Sequence, residues 1–239
     1  MKILVIPDVH LKPWIFDKAE AALIRGAADS AVCLMDISDD WNMEYNTDLY
    51  EETYKRALKF SKDFESTRWC YGNHDVCYAW GQLESGYSVY AEATVCKMLY
   101  ELEAELLWNK RLAFVQRIDN VIFSHAGLKA GFVKEIVKKH KEYADDIDTV
   151  ISFINTLNRE RLWANDSPLW YRPQMNNKDV WVREPFIQVV GHTPVEEIYE
   201  DKRVISTDVF STYRDGRQIG ESAFLIIDSK TCEWRKYSV

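Results

Sequence analysis

Five short apolar runs in this chain each stop at a residue that can hold a metal ion or carry a proton. Ile3-Leu4-Val5-Ile6 is bounded by Pro7 and followed by Asp8-Val9-His10. Ala31-Val32-Cys33-Leu34-Met35 runs into Asp36-Ile37-Ser38-Asp39-Asp40. Trp69-Cys70-Tyr71 leads into Gly72-Asn73-His74-Asp75, and Val121-Ile122-Phe123-Ser124 into His125-Ala126-Gly127. Residues 186–190 end in Gly191-His192-Thr193-Pro194. Short β-branched runs bounded by Pro or Gly read as buried strands. Residues delivered at the C-terminal ends of strands are what an open α/β sheet uses to build a site. The pattern therefore demands an α/β fold whose strand ends converge.

Histidine placement sharpens the expectation. The chain has five histidines. Four of them (His10, His74, His125, His192) sit at these strand ends, His10 and His74 close to Asp or Asn, a recurrence that isolated structural histidines do not explain. His140 differs: it lies in a charged helical stretch and reads as a solvated surface residue. Asp8 and His10 are two residues apart in extended chain, so their side chains face the same way and suit a divalent metal. Asn73 offers a carbonyl oxygen and His74 an imidazole that titrates near neutral pH. Gly72 is expected to supply the backbone freedom of a sharp strand-to-loop corner.

The ordered motifs Asp-x-His, Asp-x-x-Asp, Gly-Asn-His-Asp, His-Ala-Gly and Gly-His-Thr-Pro resemble the calcineurin-like metallophosphoesterase superfamily, from residue 8 to about residue 208. Within it the chain most resembles the phosphoprotein-phosphatase branch, with its small bacterial and bacteriophage phosphatases and diadenosine tetraphosphate hydrolases. The resemblance implies two mixed β-sheets packed as a sandwich with helices on both outer faces, a four-layer α/β/β/α fold. It also implies two divalent ions bridged by Asp36. Asp8, His10 and Asp36 would hold the first, and Asp36, Asn73, His125 and His192 the second. Mixed oxygen and nitrogen ligands favour Mn, with Fe or Zn next, over Ca. By the same resemblance His74 is the general acid, Asp39 orients it, and Arg172 with Asn73 meets the substrate phosphoryl group.

Three departures stand out, two from the phosphatase branch and one from the wider superfamily. Met35 stands where Gly usually precedes the bridging Asp, which implies a different backbone approach. Asp40 and Trp41 replace the usual Arg-Gly, so a phosphate-gripping arginine is missing and an acid that could repel a phosphomonoester takes its place. Pro194 stands where many phosphodiesterases carry a second histidine.

At 239 residues and a formal charge of −8, the chain is expected to form one domain over residues 1–239 with no linker or repeat. The acidic balance argues against nucleic acid as main partner. Five cysteines without zinc-type pairing, no signal-peptide layout and no membrane-length apolar run point to the cytoplasm. Helices are expected over residues 16–26, 47–64 and 87–107 and in a block at 128–161, with strands at 203–209, 223–227 and 233–237 forming a hairpin-rich second sheet.

The leading function is a metal-dependent phosphatase of phosphomonoesters, with a phosphorylated small molecule, nucleotide or phosphoprotein as substrate. The alternative is a dinucleoside polyphosphate hydrolase or phosphodiesterase, for which Trp41, Trp163, Trp170 or Tyr171 would stack a base. A metal-binding module without catalysis fits worst, because all six ligands and His74 are present.

Overall fold

Aliphatic residues fill Lys2–Ile6, and in the computed structural model, which describes residues 1–143 and 145–239, this stretch is strand β1, buried on both faces beyond Lys2. Helix α1 (Trp14–Ile24) returns the chain to β2 (Ser30–Cys33), and α2 (Thr47–Asp63) to β3 (Arg68–Cys70). Helices α3 (Asn73–Trp80) and α4 (Glu92–Trp108) precede the short β4 (Leu112–Ala113). These four strands run parallel in the order β1-β2-β3-β4.

The second sheet begins with the antiparallel pair β5 (Val115–Ile118) and β6 (Val121–Ser124). Helices α5 (Ala130–Lys139), α6 (Ile147–Asn155) and α7 (Arg159–Leu162) follow, then β7 (Ile187–Val190), β8 (Tyr199–Asp201) and β9 (Val204–Ser206), giving the order β5-β6-β7-β9-β8. Finally β10 (Ala223–Asp228) and β11 (Trp234–Ser238) form a hairpin that pairs with β1.

The period-two alternation of strands separates the layers. Leu4, Val32, Phe123, Val189 and Ile205, drawn from both sheets, lie in one apolar core. On the other face of the second sheet, Val115 and Ile122 pack with Phe132, Ile136, Ile151 and Ile154 of α5 and α6. In the first sheet, Trp69 of β3 stacks on Phe16 of α1 at 5.9 Å, with Phe60 of α2 edge-on to it. Fully burying side chains of this size is worth about 1.5–3 kcal/mol each. The expected two-sheet α/β/β/α architecture is present.

Several boundaries differ from expectation. Residues 87–91 are not helical, and α4 starts at Glu92. The hairpin β10–β11 joins the first sheet, because β10 pairs directly with β1 (Leu4 opposite Ile226). Only β9 of the three C-terminal strands belongs to the second sheet. His140 is half-buried rather than solvated, and its ring stacks on Phe153 at 3.9 Å.

Candidate active site

The strand ends meet where the two sheets adjoin. Asp8 follows β1, Asp36 follows β2, Asn73 and His74 follow β3, His125 follows β6 and His192 follows β7. His10, Asp36, Asn73, His74 and His192 line one cleft of about 250 Å³, whose walls also include Arg172, Trp41 and Trp170. Trp163 instead packs between Trp80 and Trp170, and the hydroxyl of buried Tyr171 donates to the Asn176 carbonyl.

Two donor clusters share Asp36. Asp8, His10 and Asp36 form one; Asp36, His125 and His192 form the other. Asp36 Oδ2 lies 4.0 Å from His10 Nε2 and 3.1 Å from His125 Nε2. Asn73 Oδ1 and His192 Nδ1 approach the same His125 Nε2 at 2.9 and 3.2 Å. The backbone sets the histidine orientations. His10 Nδ1 donates to the Asp39 carbonyl at 2.8 Å and His125 Nδ1 to the Leu34 carbonyl at 3.0 Å, so each turns Nε2 toward the carboxylates. A single proton on His125 Nε2 cannot satisfy the three acceptors that converge on it, whereas a divalent cation can. The buried mixture of oxygen and nitrogen donors thus suits a divalent metal ion.

Close backbone approach holds these donors in place. A Cβ on Gly191 would sit 1.9 Å from Asp8 Oδ1, and one on Gly72 2.1 Å from Asp36 Oδ1. Gly72 has extended torsions (φ −96°), so its requirement is space and not the backbone freedom read from the sequence. The Gly-Asn-His-Asp motif is also not a turn: Gly72 caps α3, and Asn73 and His74 are its first residues. Met35 adopts the left-handed conformation that glycine favours, φ +58°, followed by Asp36 at +43°. Such torsions cost an L-residue about 1–2 kcal/mol. Asp75 braces this corner, accepting from the Ile37 amide at 2.9 Å and the Tyr54 hydroxyl at 3.0 Å.

Electrostatics follow burial and charge. Burial raises the Asp8 carboxyl well above its usual range, with Asp208 adding to it. Burial opposes ionisation of Asp36 too, but His125, His74 and His10 outweigh it and hold the carboxyl low. Burial lowers His10 and His192, keeping lone pairs available.

His74 is the opposite case. Burial works against its charged form, yet the Asp39 hydrogen bond and the Asp36 charge raise it to about 9. Its Nδ1 lies 2.9 Å from Asp39 Oδ2, while Asp39 Oδ1 accepts the hydroxyls of Tyr50 at 3.0 Å and Tyr78 at 2.5 Å. Asp39 is therefore neither a helix cap nor a surface carboxylate.

Arg172 is half-buried, and its Nη1 donates to the His192 carbonyl and to Thr193 Oγ1, both at 3.0 Å. Asp40 does not present a free charge to the cleft. Its Oδ2 takes Lys12 Nζ at 2.7 Å, and its Oδ1 takes the Thr212 hydroxyl at 2.7 Å and the Trp41 amide at 2.8 Å. The expected repulsion of a phosphomonoester is thereby weakened by a partly buried ion pair. Sequence reading missed Lys12 and also Asp208, a buried carboxylate lining the cleft. The run Val204-Ile205-Ser206-Thr207-Asp208 carries the same signal as the other five, a strand ending in a residue able to hold a metal ion.

Buried oxygen and nitrogen donors at the strand ends of a four-layer α/β/β/α fold define a metal-dependent phosphoesterase architecture. The chain belongs to the calcineurin-like phosphoesterase family, whose sequence profile matches residues 1–217. No curated protein matches it significantly in sequence. Among solved structures it is similar to a cold-active protein-tyrosine phosphatase of the psychrophile Shewanella sp., with 18% identity, a TM-score of 0.58, and 98% of this chain and 80% of that chain covered. It is also similar to a metallophosphoesterase from Sphaerobacter thermophilus, with 13% identity, a TM-score of 0.52, and 100% and 87% of the two chains covered. At these identities the likeness concerns the fold. Among the described residues no helix is long and apolar enough to cross a membrane.

Proposed function

We propose that the chain is a single-domain, dinuclear phosphoesterase acting on phosphomonoesters. The observation that carries this reading is the pair of donor clusters sharing Asp36, with the His74–Asp39 pair on the same cleft. Asp8, His10 and Asp36 would hold one ion, and Asp36, Asn73, His125 and His192 the other, with Mn the preferred metal and Fe or Zn next. Two such ions supply charge neutralisation at the phosphoryl oxygens and a water acidic enough to react near neutral pH.

This chain's residues do the rest. His74, charged at neutral pH and held by Asp39, donates a proton to the leaving-group oxygen. Arg172, anchored by one nitrogen to the His192 turn, offers its guanidinium fork to the phosphoryl oxygens. Asn73 orients the same group from the head of α3. The likeness in fold to the Shewanella protein-tyrosine phosphatase supports a monoester substrate, a phosphoprotein among them.

A second reading, hydrolysis of dinucleoside polyphosphates or diesters, is favoured by Trp41 and Trp170 on the cleft walls. The five free cysteines support a reducing compartment, the cytoplasm, and the net charge of −8 disfavours nucleic acid as substrate.

The test is a panel with added Mn²⁺: p-nitrophenyl phosphate, its bis ester, a phosphopeptide and diadenosine tetraphosphate. Turnover of the monoesters is expected to dominate. Preference for the bis ester or the tetraphosphate would overturn the monoester assignment. Asp36→Asn and Asn73→Ala are expected to lose metal by elemental analysis, and two tightly held ions in both variants would sink the ligand assignment.

A further inference from the structure

Asp208 has the position of a site residue without yet having a role. Asp8, His192 and Asp208 each lie two residues beyond the end of a strand, β1, β7 and β9 respectively. Strands β7 and β9 are parallel neighbours, with Val190 opposite Ser206, so His192 and Asp208 leave the sheet at equivalent register. Asp208 is 1% exposed and lines the same cleft as His10 and Asp36. Its Oδ1 accepts the Ser211 amide at 3.3 Å, but its buried Oδ2 has no hydrogen-bond partner among the described residues. A buried, half-unpaired carboxylate costs several kcal/mol unless a cation or donor meets it. Pro194, which lines the same cleft, offers no donor.

We propose that Asp208 is a further anionic group of the cation site built on Asp8 and His10, acting on the ion there through a water. This rests on the metal-holding reading of the site. The water is required because, among the described residues, Asp208 is not part of the Asp8–His10–Asp36 donor cluster. The field of this carboxylate nevertheless reaches the cluster: after burial it is the largest influence raising Asp8. A carboxylate that accepts from a metal-held water strengthens binding without touching the ion. Its charge also raises the anionic count around the site, which favours a divalent over a monovalent ion.

The competing account makes Asp208 a purely structural acceptor for the Ser211 amide, and the two separate in the metal-free protein. Wild type and Asp208→Asn are stripped with chelator, titrated with Mn²⁺ by calorimetry, and melted with and without Mn²⁺. Two Mn²⁺ are expected in wild type. Asp208→Asn is expected to weaken one of them by about 10–100-fold and leave the other. Its metal-free melting temperature should hold or rise, since a buried charge beside Asp8 is gone, while the gain on adding Mn²⁺ shrinks. Wild-type affinity at both sites, or a lower metal-free melting temperature with the metal-induced gain intact, would overturn the proposal. So would failure of both Asp208→Asn and Asp208→Ser to fold without metal, which assigns a structural role. A wild type that takes no Mn²⁺ would overturn the metal-holding reading as well.

Discussion

His74 is fastened to Asp39 by a 2.9 Å contact from Nδ1 to Oδ2, and the other oxygen of Asp39 is itself held by the hydroxyls of Tyr50 and Tyr78. The imidazole is thus charged and oriented by a carboxylate that cannot easily move. For alkyl phosphates, His74→Asn should keep its metal while kcat falls by about 10²–10⁴-fold, the usual worth of a positioned acid. The loss should shrink for p-nitrophenyl phosphate, whose leaving group needs little protonation. Asp39→Asn should move the basic limb of the pH–rate profile to lower pH. Wild-type turnover of an alkyl phosphate by His74→Asn would rule out the acid role.

The same pair makes a pH prediction for the metal-free protein. His74 is raised from its ordinary 6.5 to about 9 in the fold. A raised pKa stabilises the fold fully below about pH 6.5, and that stabilisation fades as pH climbs through about 9. Chelated wild type should lose on the order of 3 kcal/mol relative to His74→Asn between pH 6 and pH 10. Denaturant melts of the two proteins across this range measure it, and parallel curves would refute it.

Two glycines give opposite outcomes for one substitution. Gly72→Ala places a Cβ 2.1 Å from Asp36 Oδ1 and 2.5 Å from the Asp36 amide, so the shared carboxylate must shift. Loss of metal and of stability by more than about 2 kcal/mol is expected, in the range of severe overpacking. Gly131, in the first turn of α5, has no atom within 4 Å of the same position. Gly131→Ala should stabilise the protein by up to about 0.5 kcal/mol through helix propensity alone. Thermal melts with elemental analysis check both.

Asp40 ties Lys12 to the Thr212 hydroxyl and so joins the loop after β2 to the segment after β9. Trp41 reinforces the tie, its Nε1 donating to the Thr212 carbonyl at 2.9 Å. Asp40→Arg restores the family pattern on paper but sets a second cation against Lys12. Breaking a partly buried pair this way is expected to cost about 1–3 kcal/mol and to raise KM for monoesters. Asp40→Arg combined with Lys12→Glu should recover much of the stability. A stable single variant with a lowered monoester KM would show that the staple is dispensable.

For Arg172, alanine should raise KM for p-nitrophenyl phosphate more than lysine does, because lysine keeps the charge but not the fork. Equal KM values for wild type and Arg172→Ala would remove it from the substrate site.

The apolar runs at Ile3–Ile6 and Val121–Ser124 were legible because a buried strand leaves a local signature: a few consecutive aliphatic residues closed by a turn former. For the same reason Asp8, Asp36, Asn73, His125 and His192 could be picked out, each standing just past such a run. What contacts decide was not legible. Gly72 looked like a conformational hinge, yet its extended torsions show that Asp36, 36 residues earlier, forbids it a side chain. Asp40 looked like a repulsive charge, because nothing local reveals that Lys12 and Thr212 neutralise and tether it. The β10–β11 hairpin could not be assigned to a sheet from its own residues, since the pairing of Leu4 with Ile226 spans nearly the whole chain. Spacing along the chain carries which residues are chemically able and which faces are apolar. Which charge is paired, which glycine is crowded and which strand edge is taken depend on neighbours distant in sequence, and only the folded packing brings those together.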